Sequence, residues 1–193
     1  AKLMAPAKGQ LRIIAGEFGG RSIAVPPGER ARPTGARVRE ALFSILENRS
    51  PGIPGSQVLD ACAGSGALGF EALSRGAAQV TFLDTDRKAV ETIEESAHAL
   101  GVADRISARR GDACRPPRAP AGPVDLVLLD PPYDSDVAEF APNALAGASW
   151  IEGDTLVVIE TRKNRPVIPG TGFAVADQRD YGDTSLFLLQ LLG

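Results

Sequence analysis

The run Val124-Asp125-Leu126-Val127-Leu128-Leu129, closed by Asp130-Pro131-Pro132-Tyr133, constrains the fold more than any other stretch of this sequence. It is apolar on both faces, as a central strand of a parallel sheet must be. The two prolines end the strand and stiffen the turn, which fixes Asp130 and Tyr133 at its carboxyl end. Ligands of open α/β sheets bind at that edge. An acid, a rigid turn and an aromatic plate there suit the holding of a planar nitrogen-bearing group against a reactive cofactor. Asp and Pro are also ordinary turn residues, so the string alone leaves a plain strand exit open.

The surrounding pattern supplies the sheet. Val58-Leu59-Asp60, Val80-Thr81-Phe82-Leu83 and Ile106-Ser107-Ala108-Arg109 read as further strands, with helices expected over 67–75 and 86–100 and a weaker one over 137–145. A strand over 155–159 follows. Strands over 173–176 and 185–190 lie close enough to pair antiparallel. Repeated strand–helix units predict a mostly parallel, doubly wound sheet with helices on both faces. Ahead of it, Leu11-Arg12-Ile13-Ile14 and Arg21-Ser22-Ile23-Ala24-Val25 predict a hairpin. A helix capped by Thr34 carries Val38, Ala41, Leu42, Ile45 and Leu46 at helical spacing. The stretch 50–55, rich in Pro and Gly, is a linker, dividing an extension over 1–50 from a body over 51–193.

With 193 residues, the chain holds one domain with a real core plus a short extension. No apolar run spans a bilayer, no signal-peptide core leads the sequence, and two cysteines with one histidine offer neither metal-ligand spacing nor a disulfide framework. A cytoplasmic enzyme without metal is expected. Charge is unevenly placed: residues 1–50 carry nine Lys/Arg against four Asp/Glu, and 51–193 twelve against twenty. A basic segment on an acidic body suggests a local nucleic-acid contact, with Arg30, Arg32, Arg37 and Arg39 as its cations. A solvated basic face or salt bridges to the body would give the same pattern.

Gly64-Ser65-Gly66-Ala67-Leu68-Gly69 matches G-x-G-x-x-G between a strand and a helix. Asp84 lies at the end of the next strand, where a carboxylate can accept both ribose hydroxyls; its alternative is a helix cap, which Asp86 could equally serve. Asp60, four residues before Gly64, can meet a positively charged amino group, whereas a site for a pyrophosphate would gain nothing from an anion there. S-Adenosylmethionine is thus favoured over NAD. Asp112, after Gly111, is either an acceptor for an adenine amino group or a turn residue.

The strings Asp60-Ala61-Cys62-Ala63-Gly64-Ser65-Gly66-Ala67-Leu68-Gly69-Phe70-Glu71-Ala72-Leu73-Ser74-Arg75-Gly76-Ala77 and Asp130-Pro131-Pro132-Tyr133 resemble those of the bacterial 16S ribosomal RNA guanine-N2 methyltransferases. Arg12-Ile13-Ile14-Ala15-Gly16 and Arg32-Pro33-Thr34, leading into Arg37-Val38-Arg39-Glu40-Ala41-Leu42-Phe43, are similar to that family's leading hairpin and helix. The resemblance runs from about Leu11 to Leu192. It departs at Cys62, where the family usually has an aromatic residue, and at Asp84, where it usually has Glu.

This resemblance implies a Rossmann-like class I fold with an antiparallel C-terminal strand pair. It implies S-adenosylmethionine held by Asp60, Ala63, Gly64, Ser65, Gly66, Asp84, Asp112 and Ala113. It also implies catalysis by Asp130, Pro131, Pro132 and Tyr133, and 16S ribosomal RNA or the assembling small subunit as partner.

The chemistry expected follows from the acceptor. An exocyclic guanine amine is a poor nucleophile because its lone pair is delocalised into the ring. Hydrogen bonds to the Asp130 carboxylate and the Pro131 carbonyl would steer that lone pair, and the carboxylate would stabilise the charge that develops on nitrogen. Pro132 contributes rigidity, and Tyr133 would stack on an unpaired or flipped base. Amino-methyl transfer to another RNA, DNA adenine or a protein glutamine uses a similar turn. A dehydrogenase leaves that turn unexplained, and a noncatalytic RNA-binding module needs no adenosine pocket.

Overall fold

In the computed structural model, which describes residues 9–29 and 33–193, a short antiparallel hairpin of β1 (Gln10–Arg12) and β2 (Ser22–Ala24) precedes helix α1 (Pro33–Glu47). Proline suits the first helical position, where its missing N–H removes no hydrogen bond. Helix α1 therefore begins one residue before Thr34, the expected cap. Strands β3 (Gln57–Asp60), β4 (Gln79–Asp84), β5 (Ile106–Arg110), β6 (Leu126–Leu129) and β7 (Leu156–Arg162) are parallel, while β8 (Phe173–Tyr181) and β9 (Thr184–Leu191) complete the sheet antiparallel. The order is β5-β4-β3-β6-β7-β9-β8. Its direction reverses between β3 and β6, so the crevice at the carboxyl ends of those strands is where a ligand fits. The connecting helices are α2 (Ala67–Ser74), α3 (Arg87–Leu100) and α4 (Val137–Gly147). This is the class I methyltransferase fold, mostly parallel with an antiparallel C-terminal pair.

Period-two alternation sorts the central strands into two cores. Val58, Val80, Phe82, Leu126, Leu128 and Val158 face one, and Leu59, Leu83, Val127, Leu129, Val157 and Ile159 the other. The second is filled by Ala141 and Leu145 of α4 and by Trp150. The first also takes Ile13, Phe18 and Ile23 from the hairpin and Val38, Leu42, Phe43 and Leu46 from α1. Residues 1–50 thus contribute to the core. Close contact makes glycine necessary at two joints. A Cβ on Gly69 would lie 2.2 Å from the Phe82 ring, and one on Gly16, whose φ is +84°, would lie 1.9 Å from the Ser74 carbonyl.

One buried carboxylate ties these pieces together. Glu71 of α2 is fully buried and accepts hydrogen bonds from the Ile14 and Ala15 amides at 2.9 and 3.1 Å. Arg75 Nε donates to it at 2.9 Å, and Arg39 Nε of α1 lies 3.5 Å away. Arg39 donates in turn to the Arg12 carbonyl at 2.6 Å. Among the described residues no helix is long and apolar enough to cross a membrane.

Candidate active site

Three parallel strands end in a carboxylate or pass directly into one. Asp60 closes β3, Asp84 closes β4 and Asp130 follows β6, while Glu160 sits two residues before the end of β7. All four line one cleft of about 570 Å³, within the range usual for small-molecule sites. Glu29, from the segment after the hairpin, joins them, as do Arg39, Cys62, Ala63, Gly64, Ser65, Pro131 and Pro132. Among the described residues, five acidic side chains therefore surround this cleft, with one guanidinium in its lining. Such a field favours a cationic ligand and repels a pyrophosphate.

Asp60 is 1% exposed; its Oδ2 accepts from the Gly69 amide at 3.0 Å, and its Oδ1 is buried without a hydrogen-bond partner among the described residues. Burial, opposed by the Gly69 amide and reinforced by Asp130, Asp84 and Glu29, pushes its carboxyl from 3.8 up to about 8. A buried acceptor in this state is completed by a positively charged donor. The shift also makes the ligand-free fold sensitive to pH. Between about pH 4 and pH 8 the unfolded chain has released this proton and the folded chain keeps it, so stability falls as pH rises through that window and levels above it. The slope is at most about 1.4 kcal/mol per pH unit. Thermal unfolding from pH 5 to pH 8 should show this decline, and Asp60→Asn should flatten it.

The Gly64 loop hangs from both neighbouring strands. Ala61 N donates to Leu128 O and Ala63 N to Leu83 O, both at 3.0 Å, and Gly64 N donates to Asp84 Oδ2 at 2.8 Å. The other Asp84 oxygen accepts from the Asp86 amide. Asp86 caps α3 through Lys88 N, which leaves Asp84 available to the cleft. Each Asp84 oxygen holds one amide and retains a second acceptor direction for a hydroxyl. Cys62 is half-buried, and burial, with Asp60 next, pushes its thiol up, so it is no nucleophile near neutral pH.

Asp112 and Ala113 stand beside this constellation. Gly111 N donates to Asp84 O at 2.9 Å, which sets the turn against β4, but neither residue lines the cleft. Asp112 Oδ1 accepts from Cys114 N at 2.8 Å, the turn geometry that was the alternative for this residue. The Asp130–Tyr133 turn separates the cleft from a second cavity of about 190 Å³; Pro131, Pro132 and Glu160 line both. Pro131 is buried and Tyr133 half-buried. The Arg162 guanidinium lies 4.8 Å from the Tyr133 ring centroid, and Arg165 donates to the Tyr133 carbonyl at 2.8 Å.

The basic segment divides differently from the expectation. Arg30 and Arg32 lie outside the described residues. Arg37 is exposed, whereas Arg39 is 6% exposed and held by Glu71 and the Arg12 carbonyl. That burial corrects the reading of Arg39 as a phosphate grip on an open face. Arg39 shares its helical stripe with Phe43 and Leu46, so the spacing that marked the core already carried the signal. Glu29, Glu160, Arg162 and Arg165 were not anticipated. Glu160 follows the apolar run Leu156-Val157-Val158-Ile159 just as Asp130 follows its own run; Glu29 reaches the cleft only because the hairpin docks.

A family model described as Conserved hypothetical protein 95 matches residues 11–190. Ribosomal RNA small subunit methyltransferase D of Haemophilus influenzae is 38% identical over 194 aligned positions, covering 98% of each chain. The solved structure of yhhF from Escherichia coli, 32% identical, superposes with a TM-score of 0.79 over 96% of this chain and 99% of that one. At 16% identity, an RNA methyltransferase from Salinibacter ruber in complex with S-adenosyl-L-homocysteine shares the fold, with a TM-score of 0.61 over 85% of this chain and 94% of that one.

Proposed function

The chain belongs to the Conserved hypothetical protein 95 family, which includes the small-subunit ribosomal RNA methyltransferases D, and from that premise we infer that it methylates ribosomal RNA. The finer reading is transfer of a methyl group from S-adenosylmethionine to the exocyclic N2 amine of a guanine in 16S RNA, by a cytoplasmic enzyme. The observation that carries the cofactor half is Asp60, a buried carboxyl with an unpartnered oxygen in a cleft of carboxylates. It fits the ammonium of a methionyl group, and the surrounding negative field fits a sulfonium.

S-Adenosylmethionine, when bound, supplies an electrophilic methyl group. Asp60 would hold the amino group, Asp84 the ribose hydroxyls, and the backbone of Ala63, Gly64, Ser65 and Gly66 would approach the ligand closely. Asp112 and Ala113 lie outside the lining of the cleft, beside Asp84 through the Gly111 hydrogen bond, and would meet an adenine that extends past the ribose. Asp130 and the Pro131 carbonyl would accept the two N–H groups of the guanine amine, turning its lone pair toward the methyl. As nitrogen becomes cationic, the Asp130 carboxylate stabilises it. Pro132 holds the turn rigid, and Tyr133 would stack on the base. Residues 1–50 would contact RNA through Arg30, Arg32 and Arg37, with 51–193 as the methyl-transfer body; Arg39 has no part in that grip.

Calorimetric titration with S-adenosylmethionine and with NAD tests the cofactor reading. The expected result is saturable binding of the first, with release of the Asp60 proton near pH 7, and none of the second. Binding of NAD instead would overturn it. Asp84→Ala should weaken S-adenosylmethionine binding by about 1–3 kcal/mol, since hydrogen bonds to a charged group are lost. An unchanged dissociation constant would remove Asp84 from the ribose.

A further inference from the structure

We propose that the end of β7 and the turn after it, through Arg162, Lys163 and Arg165, form a phosphate grip for RNA at the catalytic turn. The inference rests on the reading of the protein as an RNA methyltransferase and says where the strand beside the target nucleotide lies. Three cations fall within four residues on a body with an excess of carboxylates. All three are exposed, and none forms an ion pair among the described residues. Clustered exposed cations that are left out of ion pairs among the described residues, on an otherwise acidic surface, are the electrostatic footprint of an anionic partner.

Their position identifies the anion. Arg162 lies over the Tyr133 ring and Arg165 holds the Tyr133 carbonyl, so the cluster is fastened to the plate on which a base would stack. Both guanidinium residues line the second cavity, together with Glu139 and Glu160. The guanidinium groups match the phosphate of a nucleotide, which accepts hydrogen bonds, while its guanine amine is left to Asp130 and the Pro131 carbonyl. A base leaving its stack toward Asp130 brings its own phosphates along, and cations beside the turn would hold them. A flat basic patch elsewhere would bind RNA without orienting the flipped nucleotide.

The test is a salt titration of binding to a short synthetic RNA hairpin carrying an unpaired guanine, read by fluorescence anisotropy. R162Q/K163Q/R165Q should raise the dissociation constant and reduce the slope of log affinity against log salt by about 0.7–0.9 for each phosphate no longer neutralised. Lys163 supports neither the ring nor the carbonyl of Tyr133, so Lys163→Gln alone should remove one such unit and leave the turn in place. S-Adenosylmethionine affinity should match wild type in both variants, reporting an intact fold. A wild-type slope retained in both overturns this grip while leaving the RNA methyltransferase reading in place. Absence of salt-dependent RNA binding by the wild-type protein overturns both.

Discussion

Asp130→Ala should slow single-turnover methyl transfer by about 10²–10³-fold, the scale for removing one preorganised group that stabilises transition-state charge. S-Adenosylmethionine affinity should stay near that of wild type, because the partner proposed for Asp130 is the substrate amine. The split follows from position: Asp130 lines the cleft beside Pro131 and Pro132, which face both cavities, whereas Asp60 and Asp84 hold the amides of Gly69 and Gly64. Asp130→Asn keeps an acceptor but not its charge, and should fall between the two. Rapid-quench transfer measured beside calorimetry separates these quantities. A near wild-type rate in Asp130→Ala would dissociate the turn from the chemistry.

The second large effect is on folding. Glu71→Ala should destabilise the protein by about 3–5 kcal/mol, because removing one member of a buried charge network strands the others. Arg39 would lose its counter-charge at 6% exposure, and burial already lowers its pKa. The Ile14 and Ala15 amides would lose their acceptor as well. The hairpin and α1 should loosen together, and Leu11, Val25 and Arg39, which they contribute to the cleft, would move with them. Denaturant unfolding measures the loss. Glu71→Gln, which keeps two acceptor directions and no charge, should cost less. Equal stability of Glu71→Ala and wild type would mean that apolar contacts alone hold the N-terminal layer.

The sheet was legible where burial is two-sided. Val58–Asp60, Val80–Leu83 and Val124–Leu129 announce themselves because both faces are apolar, and each passes into the acid that the cleft uses. The apolar pattern of β8 ends at residue 176, but the strand continues to Tyr181. Beyond a bulge between Val175 and Asp177 it runs through Asp177, Gln178, Arg179 and Asp180, a polar and mostly exposed run that protects an edge strand and erases its apolar pattern. The C-terminal partner β9 is buried from Thr184 to Leu189, and its core was accordingly visible.

Within the site, strand-terminating acids were readable and tertiary neighbours were not. Arg39 looked like one of four surface cations because its charge outweighed its helical phase; the structure reverses that weighting through Glu71. Arg162 and Arg165 lie past the expected end of β7, in a polar stretch whose closeness to Tyr133 arises only when β6 and β7 pair. A one-dimensional pattern gives the ends of strands, and the pairing of strands decides which ends meet.

The product proposed for this enzyme is a methyl group on the N2 amine of a guanine in 16S RNA. Purified protein incubated with S-adenosylmethionine labelled in its methyl group and with small-subunit ribosomal particles, followed by nucleoside digestion and chromatography, tests it directly. The expected product is label in N2-methylguanosine from 16S RNA, formed far more slowly by Asp130→Ala. Label in a different nucleoside or in ribosomal protein, or none in any fraction while the cofactor binds, would contradict it.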